Sequence, residues 1–145
     1  MDMKSKILVM AVMGAALWGG LVLSAQAGKT TAEPVYTAAQ AARGEAVYTK
    51  NCIECHLRDL TGGNPEAAPA PALTGNEFTS YWNGKSIDGV WDSIRMNMPK
   101  SDPGTITPEQ SADILAYIIS FNKGPSGSTE LPPQADVLKS IKFKF

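Results

Sequence analysis

Five consecutive residues concentrate the chemistry of this chain: Cys52-Ile53-Glu54-Cys55-His56. Two thiols three positions apart lie on one helical turn, so both reach the same side. The histidine beside the second thiol then points at whatever the thiols hold. The C-x-x-C-H spacing is that of covalent c-type haem attachment, with both sulfurs bonded to porphyrin vinyl groups and the imidazole on iron. Three plainer readings compete. A disulfide between residues so close would close a very tight loop and add little stability. A structural zinc site needs four ligands, and His56 is the single histidine of the chain. A thioredoxin-like redox pair expects a βαβ context, and the sequence offers no strand pattern. Haem attachment at Cys52 and Cys55, with His56 as an iron ligand, is the reading that the spacing favours.

A lone histidine excludes ligation by two imidazoles within one chain, so the sixth iron ligand is methionine, another donor, water or nothing. Beyond the first 27 residues only Met96 and Met98 remain as methionines. Met98 is the expected ligand, because Pro99 holds the backbone after it. Core packing is the ordinary role of a methionine, and that role is expected for the other one. A thioether favours ferrous iron and raises the potential, and two protein ligands leave no open position for a substrate. Pro71, in Ala70-Pro71-Ala72-Leu73-Thr74-Gly75, offers a carbonyl that can accept the free ring N–H of His56 and fix its tautomer. The plain alternative is a Pro-rich turn. Leu73, Ile94 and Val90 are expected to line the pocket. Trp82, Trp91, Lys85 and Arg95 are candidates for contact with the haem propionates, each weighed against packing or exposure.

These residues need helices to position them. Thr37 caps a first helix with Gln40 at the capping-box position, and the helix runs to about the cysteines. From Leu57 to Gly84 the chain is rich in Gly, Pro, Ala, Asn and Thr, a long loop with one helical turn near Phe78 to Trp82. A loop this long inside a compact domain is usually functional. Ser86 is placed to cap a second helix that must end near Met98, since Pro99 disfavours helical geometry before it. Thr107, Pro108 and Gln110 open the clearest helix, in which Ile114, Leu115, Ile118 and Phe121 recur at helical spacing. Asn122-Lys123-Gly124-Pro125 stops it. The remaining residues form an extended tail with at most a short helix around Ala135 to Ser140. Leu131, Val137, Leu138, Ile141, Phe143 and Phe145 would let the tail dock a partner or, preferably, pack back on its own domain.

The first 27 residues read as an export signal: Lys4 and Lys6, an uncharged apolar run from Ile7 to Leu23, then Ser24-Ala25-Gln26-Ala27 with small residues at the cleavage positions. An uncleaved membrane anchor is the rival, the run being nearly long enough to span. The formal charge of the 145-residue chain is −1, and losing the leader makes it one unit more negative. That balance argues against nucleic acid, which needs a basic stripe.

With these residues in place, the chain resembles the class I cytochrome c family. The matching stretches are Ala42-Arg43-Gly44-Glu45-Ala46-Val47-Tyr48, the C-x-x-C-H motif, Pro71-x-Leu73-x-Gly75, Met98-Pro99 and Ile114-Leu115-Ala116-Tyr117-Ile118. The resemblance implies an all-α cytochrome c fold, with three main helices and a long loop wrapped around one covalent haem c. It also implies a close crossing of the first and last helices, with Gly44 at the contact and Tyr48 and Tyr117 beside it. The domain organisation expected is a signal peptide over 1–27, a flexible segment over 28–36, the cytochrome c domain over 37–123 and a C-terminal extension over 124–145. Within the family the chain looks closest to small cytochromes associated with quinoprotein dehydrogenases that use pyrroloquinoline quinone (PQQ). That likeness rests on Asp59-Leu60-Thr61-Gly62-Gly63, Trp82-Asn83-Gly84-Lys85-Ser86 and the tail from Glu130-Leu131-Pro132-Pro133. Asn64 to Pro69 lengthens the haem loop beyond the family's usual form.

The expected function is therefore a periplasmic one-electron carrier and not an enzyme. It would accept electrons from a PQQ-dependent dehydrogenase and pass them towards a terminal oxidase, without nucleic acid and with membrane contact only if the leader stays. Two alternatives stand beside it: a haem subunit of a larger redox complex, and a haem sensor or peroxidase-like protein with a labile sixth ligand.

Overall fold

Thr37, in extended conformation, accepts a hydrogen bond from the Gln40 N–H and starts α1, Ala38–Asn51. The computed structural model describes residues 28–63 and 70–145. The expected leader (1–27) and the loop-lengthening stretch Asn64 to Pro69 lie outside the described residues. After α1 come α2 (Ile53–His56), α3 (Gly75–Trp82), α4 (Asp88–Asn97), α5 (Pro108–Phe121) and α6 (Ala135–Lys139). Among the described residues the only β-type pairings are isolated bridges, Thr30 with Lys142, Thr37 with Gly127 and Ser86 with Lys142. None of these helices is long and apolar enough to cross a membrane.

α1 and α5 form the main helix pair. A Cβ built on Gly44 would stand 1.8 Å from the Asp113 carbonyl oxygen, so the backbones meet where only hydrogen fits. Tyr48 and Tyr117 flank the crossing with ring centroids 5.3 Å apart. Ile114, Leu115, Ile118 and Ile119 of α5 are buried, each such side chain contributing about 1.5–3 kcal/mol relative to exposure. α5 opens with the full reciprocal box: Gln110 N–H donates to Thr107 Oγ1 at 3.2 Å, and Thr107 N–H donates to Gln110 Oε1 at 3.0 Å.

Several local expectations are corrected. The box at α1 is only half made, because the buried Gln40 amide is spent on the tail. Its Nε2 donates to the Leu131 carbonyl at 2.9 Å and its Oε1 accepts from the Leu131 N–H at 2.8 Å. Ser86 does not cap α4. Its hydroxyl bonds the Asp88 carboxylate, and Ile87 stands at the N-cap without a side-chain bond. There the chain pairs with the C-terminus instead, Ile87 N–H donating to Ile141 O at 3.0 Å. The single turn expected around Phe78 to Trp82 is an eight-residue helix that begins at Gly75.

The tail packs back on its own domain, with Leu131, Leu138, Ile141 and Phe143 all buried. Segment 28–36, expected to be loose, has no helix but is tied in. Val35 and Tyr36 are buried, the Tyr36 hydroxyl donates to Gly124 O at 2.7 Å, and Thr31 N–H donates to Lys142 O at 2.9 Å. Both terminal segments thus bury apolar side chains in the domain and are bonded to one another through Thr31 and Lys142.

Candidate cofactor site

The C-x-x-C-H stretch forms where α1 breaks. Cys52 leaves helical geometry at φ −124°, and its N–H still closes α1 on Tyr48 O at 2.8 Å. Its carbonyl then accepts from Cys55 N–H (3.2 Å) and His56 N–H (2.9 Å), so the motif is one turn. Both cysteines are free thiols and half-buried. Burial, and then the neighbouring Cys55, push the Cys52 thiol up to about 11. A thiol so placed is protonated near neutral pH, whereas reactive redox pairs depend on a depressed thiol pKa.

His56 is buried, and its Nδ1 lies 3.0 Å from the Pro71 carbonyl oxygen. A carbonyl only accepts, so Nδ1 carries the proton and the Nε2 lone pair is left free. Burial lowers the histidine pKa, with the Pro71 bond opposing, and so favours the neutral imidazole that can bind a metal. The Pro71 carbonyl is itself placed by the returning loop. Gly62 N–H donates to His56 O at 3.0 Å, Gly63 N–H to Ala70 O at 2.9 Å and Leu73 N–H to Leu60 O at 2.8 Å. The Tyr48 hydroxyl donates to Leu57 O at 2.8 Å and ties the same loop to α1.

One cavity of about 540 Å³ is bordered by Cys52, Cys55, His56, Pro71, Leu73, Ile94 and Met98, together with Val90 and Trp82. Its size falls within the roughly 300–1,000 Å³ usual for cofactor sites. Met98 reaches it because α4 ends at Asn97 and Met98 is extended (φ −122°, ψ 152°), as the following proline requires.

The other expectations divide. Met96 does not pack in the core: it is 55% exposed on α4 and does not border the cavity. Trp91 is buried outside the cavity, its indole N–H donating to Pro108 O at 3.1 Å. The Lys85 ammonium lies 3.2 Å from the Tyr81 ring centroid and 5.7 Å from that of Trp82, and Lys85 itself does not border the cavity. Arg95 stacks over Trp91 at 4.9 Å and pairs with Asp92 at 3.5 Å, and its buried Nε finds no partner among the described residues.

Tyr48, Phe78, Ile106, Ile114, Ile118 and Lys100 also border the cavity and were not named as lining residues from sequence. Ile114 and Ile118 were visible as one apolar face of α5, but periodicity does not say whether such a face meets protein or cofactor. Nothing in the local sequence marks Lys100, the one cation on the lining among the described residues.

A neutral imidazole with a free Nε2, two adjacent thiols and a thioether around one apolar cavity are the donor set that haem requires, and the residues fit it. Helices around such a cavity, with C-x-x-C-H closing one wall, define the all-α cytochrome c fold. A family model described as cytochrome c oxidase, cbb3-type, subunit III matches residues 39–118. The chain belongs to that family, whose domain is that of a class I c-type cytochrome. No curated protein and no solved structure matches it.

Proposed function

We propose that this chain is a one-electron carrier holding a single haem c, bonded through thioethers to Cys52 and Cys55 and ligated axially by His56 and Met98. One observation carries the reading: all four side chains border the same apolar cavity, and the His56 nitrogen left free by Pro71 belongs to a residue bordering it. When bound, haem supplies an Fe(III)/Fe(II) couple. The chain's own residues do the rest. The Pro71 carbonyl accepts a hydrogen bond from His56 Nδ1–H and fixes the ring's orientation. Pro99 keeps the Met98 backbone extended. Val90, Ile94, Phe78 and Ile114 give the site apolar walls that disfavour water. A dry, rigid shell with both ligands supplied lets an electron come and go with little rearrangement.

The domain reading proposed is a leader over 1–27 and a working unit from residue 28 onward, with haem bound by 37–123 and the extension folded onto it. Residues 1–27 support export, so the proposed location is the periplasm. An oxidase is the proposed electron acceptor, in keeping with the oxidase named in the family's description. A PQQ-dependent dehydrogenase is the proposed donor, and only the subfamily resemblance of Asp59 to Gly63, of Trp82 to Ser86 and of the tail supports it. The oxidase-subunit description also favours a second reading, a haem subunit held in an oxidase complex, which native-mass measurement of the purified protein separates from a free carrier.

The test is to produce the chain in cells competent for cytochrome maturation and record spectra in both oxidation states. A Soret band that survives acid–acetone extraction, a thioether-to-iron band when oxidised, and no spectral change when carbon monoxide meets the reduced protein are expected. Rapid carbon monoxide binding would favour a sensor and overturn the carrier.

A further inference from the structure

Residues 140–145 lie beyond the stretch that the family model covers, yet Ile141 and Phe143 are among the best-buried side chains of the molecule. Their backbone is tied on two sides. Phe143 N–H donates to Lys85 O at 2.8 Å and Gly84 N–H donates to Phe143 O at 2.8 Å, while Lys142 N–H donates to Lys29 O at 3.0 Å. The alternation this imposes turns Ile141 and Phe143 inward and leaves Lys142 and Lys144 exposed.

Phe143 meets α3. Its ring stands edge-on to Phe78 at 5.8 Å (82°) and tilted to Trp82 at 5.8 Å (55°), and Phe145 stacks on it at 5.5 Å. Phe78 and Trp82 both border the cofactor cavity, whereas Phe143 does not. Trp82 also lies against α4, where a Cβ built on Gly89 would stand 3.0 Å from its ring. The tail backs both rings from the other direction, through the Phe143 contacts with Phe78 and Trp82.

We infer that Phe143 is a positioning residue for the cofactor. It fixes Phe78 and Trp82 from behind, keeps that wall of the cavity closed to water, and so helps to set the potential of the group inside. The inference rests on the cavity holding haem. The hydrophobic shell around a redox site controls its dielectric and its solvent access. Water admitted at this wall favours the more highly charged oxidised iron, so loosening the wall lowers the potential.

The experiment compares the mature holoprotein with Phe143→Ala, Phe143→Leu and Leu131→Ala. Leu131 is equally buried in the same tail, but it is held by Gln40 and lies off the cavity lining. The readouts are the midpoint potential and the thioether-to-iron band. Phe143→Ala is expected to lower the reduced-to-oxidised ratio at fixed poise about tenfold, which is about 59 mV for a one-electron couple. Phe143→Leu, which keeps the bulk, should give a smaller shift of the same sign and covers the case in which the alanine variant fails to fold. Leu131→Ala should destabilise the fold without moving the potential. If the Phe143 variants leave the potential unchanged, or shift it no more than Leu131→Ala does, Phe143 serves only the fold and the inference fails. A wild-type chain without haem would instead remove the function on which it rests.

Discussion

His56 Nδ1 and the Pro71 carbonyl oxygen are 3.0 Å apart, and the backbone passing beside that carbonyl is Gly62. Gly62 has φ +67°, and a Cβ there would stand 2.5 Å from Ala70 O and 2.8 Å from Pro71 O. Gly62→Ala therefore has to push away the carbonyl that orients the imidazole. The left-handed backbone alone costs roughly 1–2 kcal/mol, and the clash adds overpacking of about 1–3 kcal/mol. Denaturant unfolding should show that loss, together with a shifted midpoint potential. An unshifted potential would mean that the His56 ring is oriented without Pro71.

At Gly44 two effects of opposite sign compete. Alanine is the better helix former by about 1 kcal/mol. Its methyl, however, would lie 1.8 Å from Asp113 O and 2.9 Å from Ile114 N, both backbone atoms of α5. Backbone cannot rotate aside, so α1 and α5 must separate. With the clash at the upper end of the roughly 1–3 kcal/mol that overpacking costs, the expected result for Gly44→Ala is a net loss of about 2 kcal/mol, read from the denaturation midpoint. Stabilisation would show that the crossing is not close in solution.

Gln40 binds both backbone groups of Leu131, 91 positions away, at 2.9 and 2.8 Å. Gln40→Leu keeps the bulk but leaves a buried N–H and a buried C=O without partners, each costing about 1–3 kcal/mol. A loss of roughly 3 kcal/mol, with faster proteolysis in the tail, is expected. A neutral result would indicate that water replaces the amide.

What the sequence could show follows the range of each signal. α5 was legible because Thr107, Pro108 and Gln110 act on their own neighbours, and Ile114 and Ile118 recur within one helix. The C-x-x-C-H turn and the arrest of α4 before Pro99 are equally local. The fate of Gln40 was not legible, since the same residue suits a local capping box and a distant backbone, and burial beneath the tail decided for the latter. α3 escaped notice as a full helix because eight residues with only Phe78 buried carry too little periodicity. Ile141-Lys142-Phe143-Lys144 does alternate with period two, but it is too short to read as a strand and pairs only through isolated bridges. Met98 could be preferred to Met96 from Pro99, while the exposure of Met96 depends on which face of α4 turns inward.

The Arg43 guanidinium reaches Asp113 through two bonds of 3.0 Å and Glu130 through two more of 3.0 Å, clipping the tail to α1 and α5. The hydrogen bonds from Arg43 hold the Glu130 carboxyl below its ordinary 4.5. A depressed carboxylate pKa adds stability that is fully present above the unfolded value and is lost as pH falls through the folded one. The side chains of Arg43 and Glu130 are each 49% exposed, so solvent screening holds the contribution to about 0.5 kcal/mol. Glu130→Gln should thus lower stability slightly at pH 7, make no difference once the pH has fallen through the depressed pKa of the folded carboxyl, and flatten the acid limb of the stability curve. An unchanged acid limb would show that the clip is not formed in solution.

Met98 and Met96 are two residues apart and face opposite fates. Met98 borders the cavity at the end of α4, whereas Met96 is 55% exposed. Met98→Leu keeps the apolar volume but removes the sulfur donor. It should abolish the thioether-to-iron band of the oxidised holoprotein, lower the potential and open the reduced iron to carbon monoxide. Met96→Leu should leave all three as they are, with stability changed by no more than about 0.5 kcal/mol, as for surface substitutions generally. The leucine pair also separates ligation from packing, because a methionine that merely filled space at position 98 would tolerate leucine at a cost below about 1.5 kcal/mol and without a change in spectrum. Loss of the band in Met96→Leu but not in Met98→Leu would reverse the assignment, and it would require α4 to rotate so that its exposed face met the cavity.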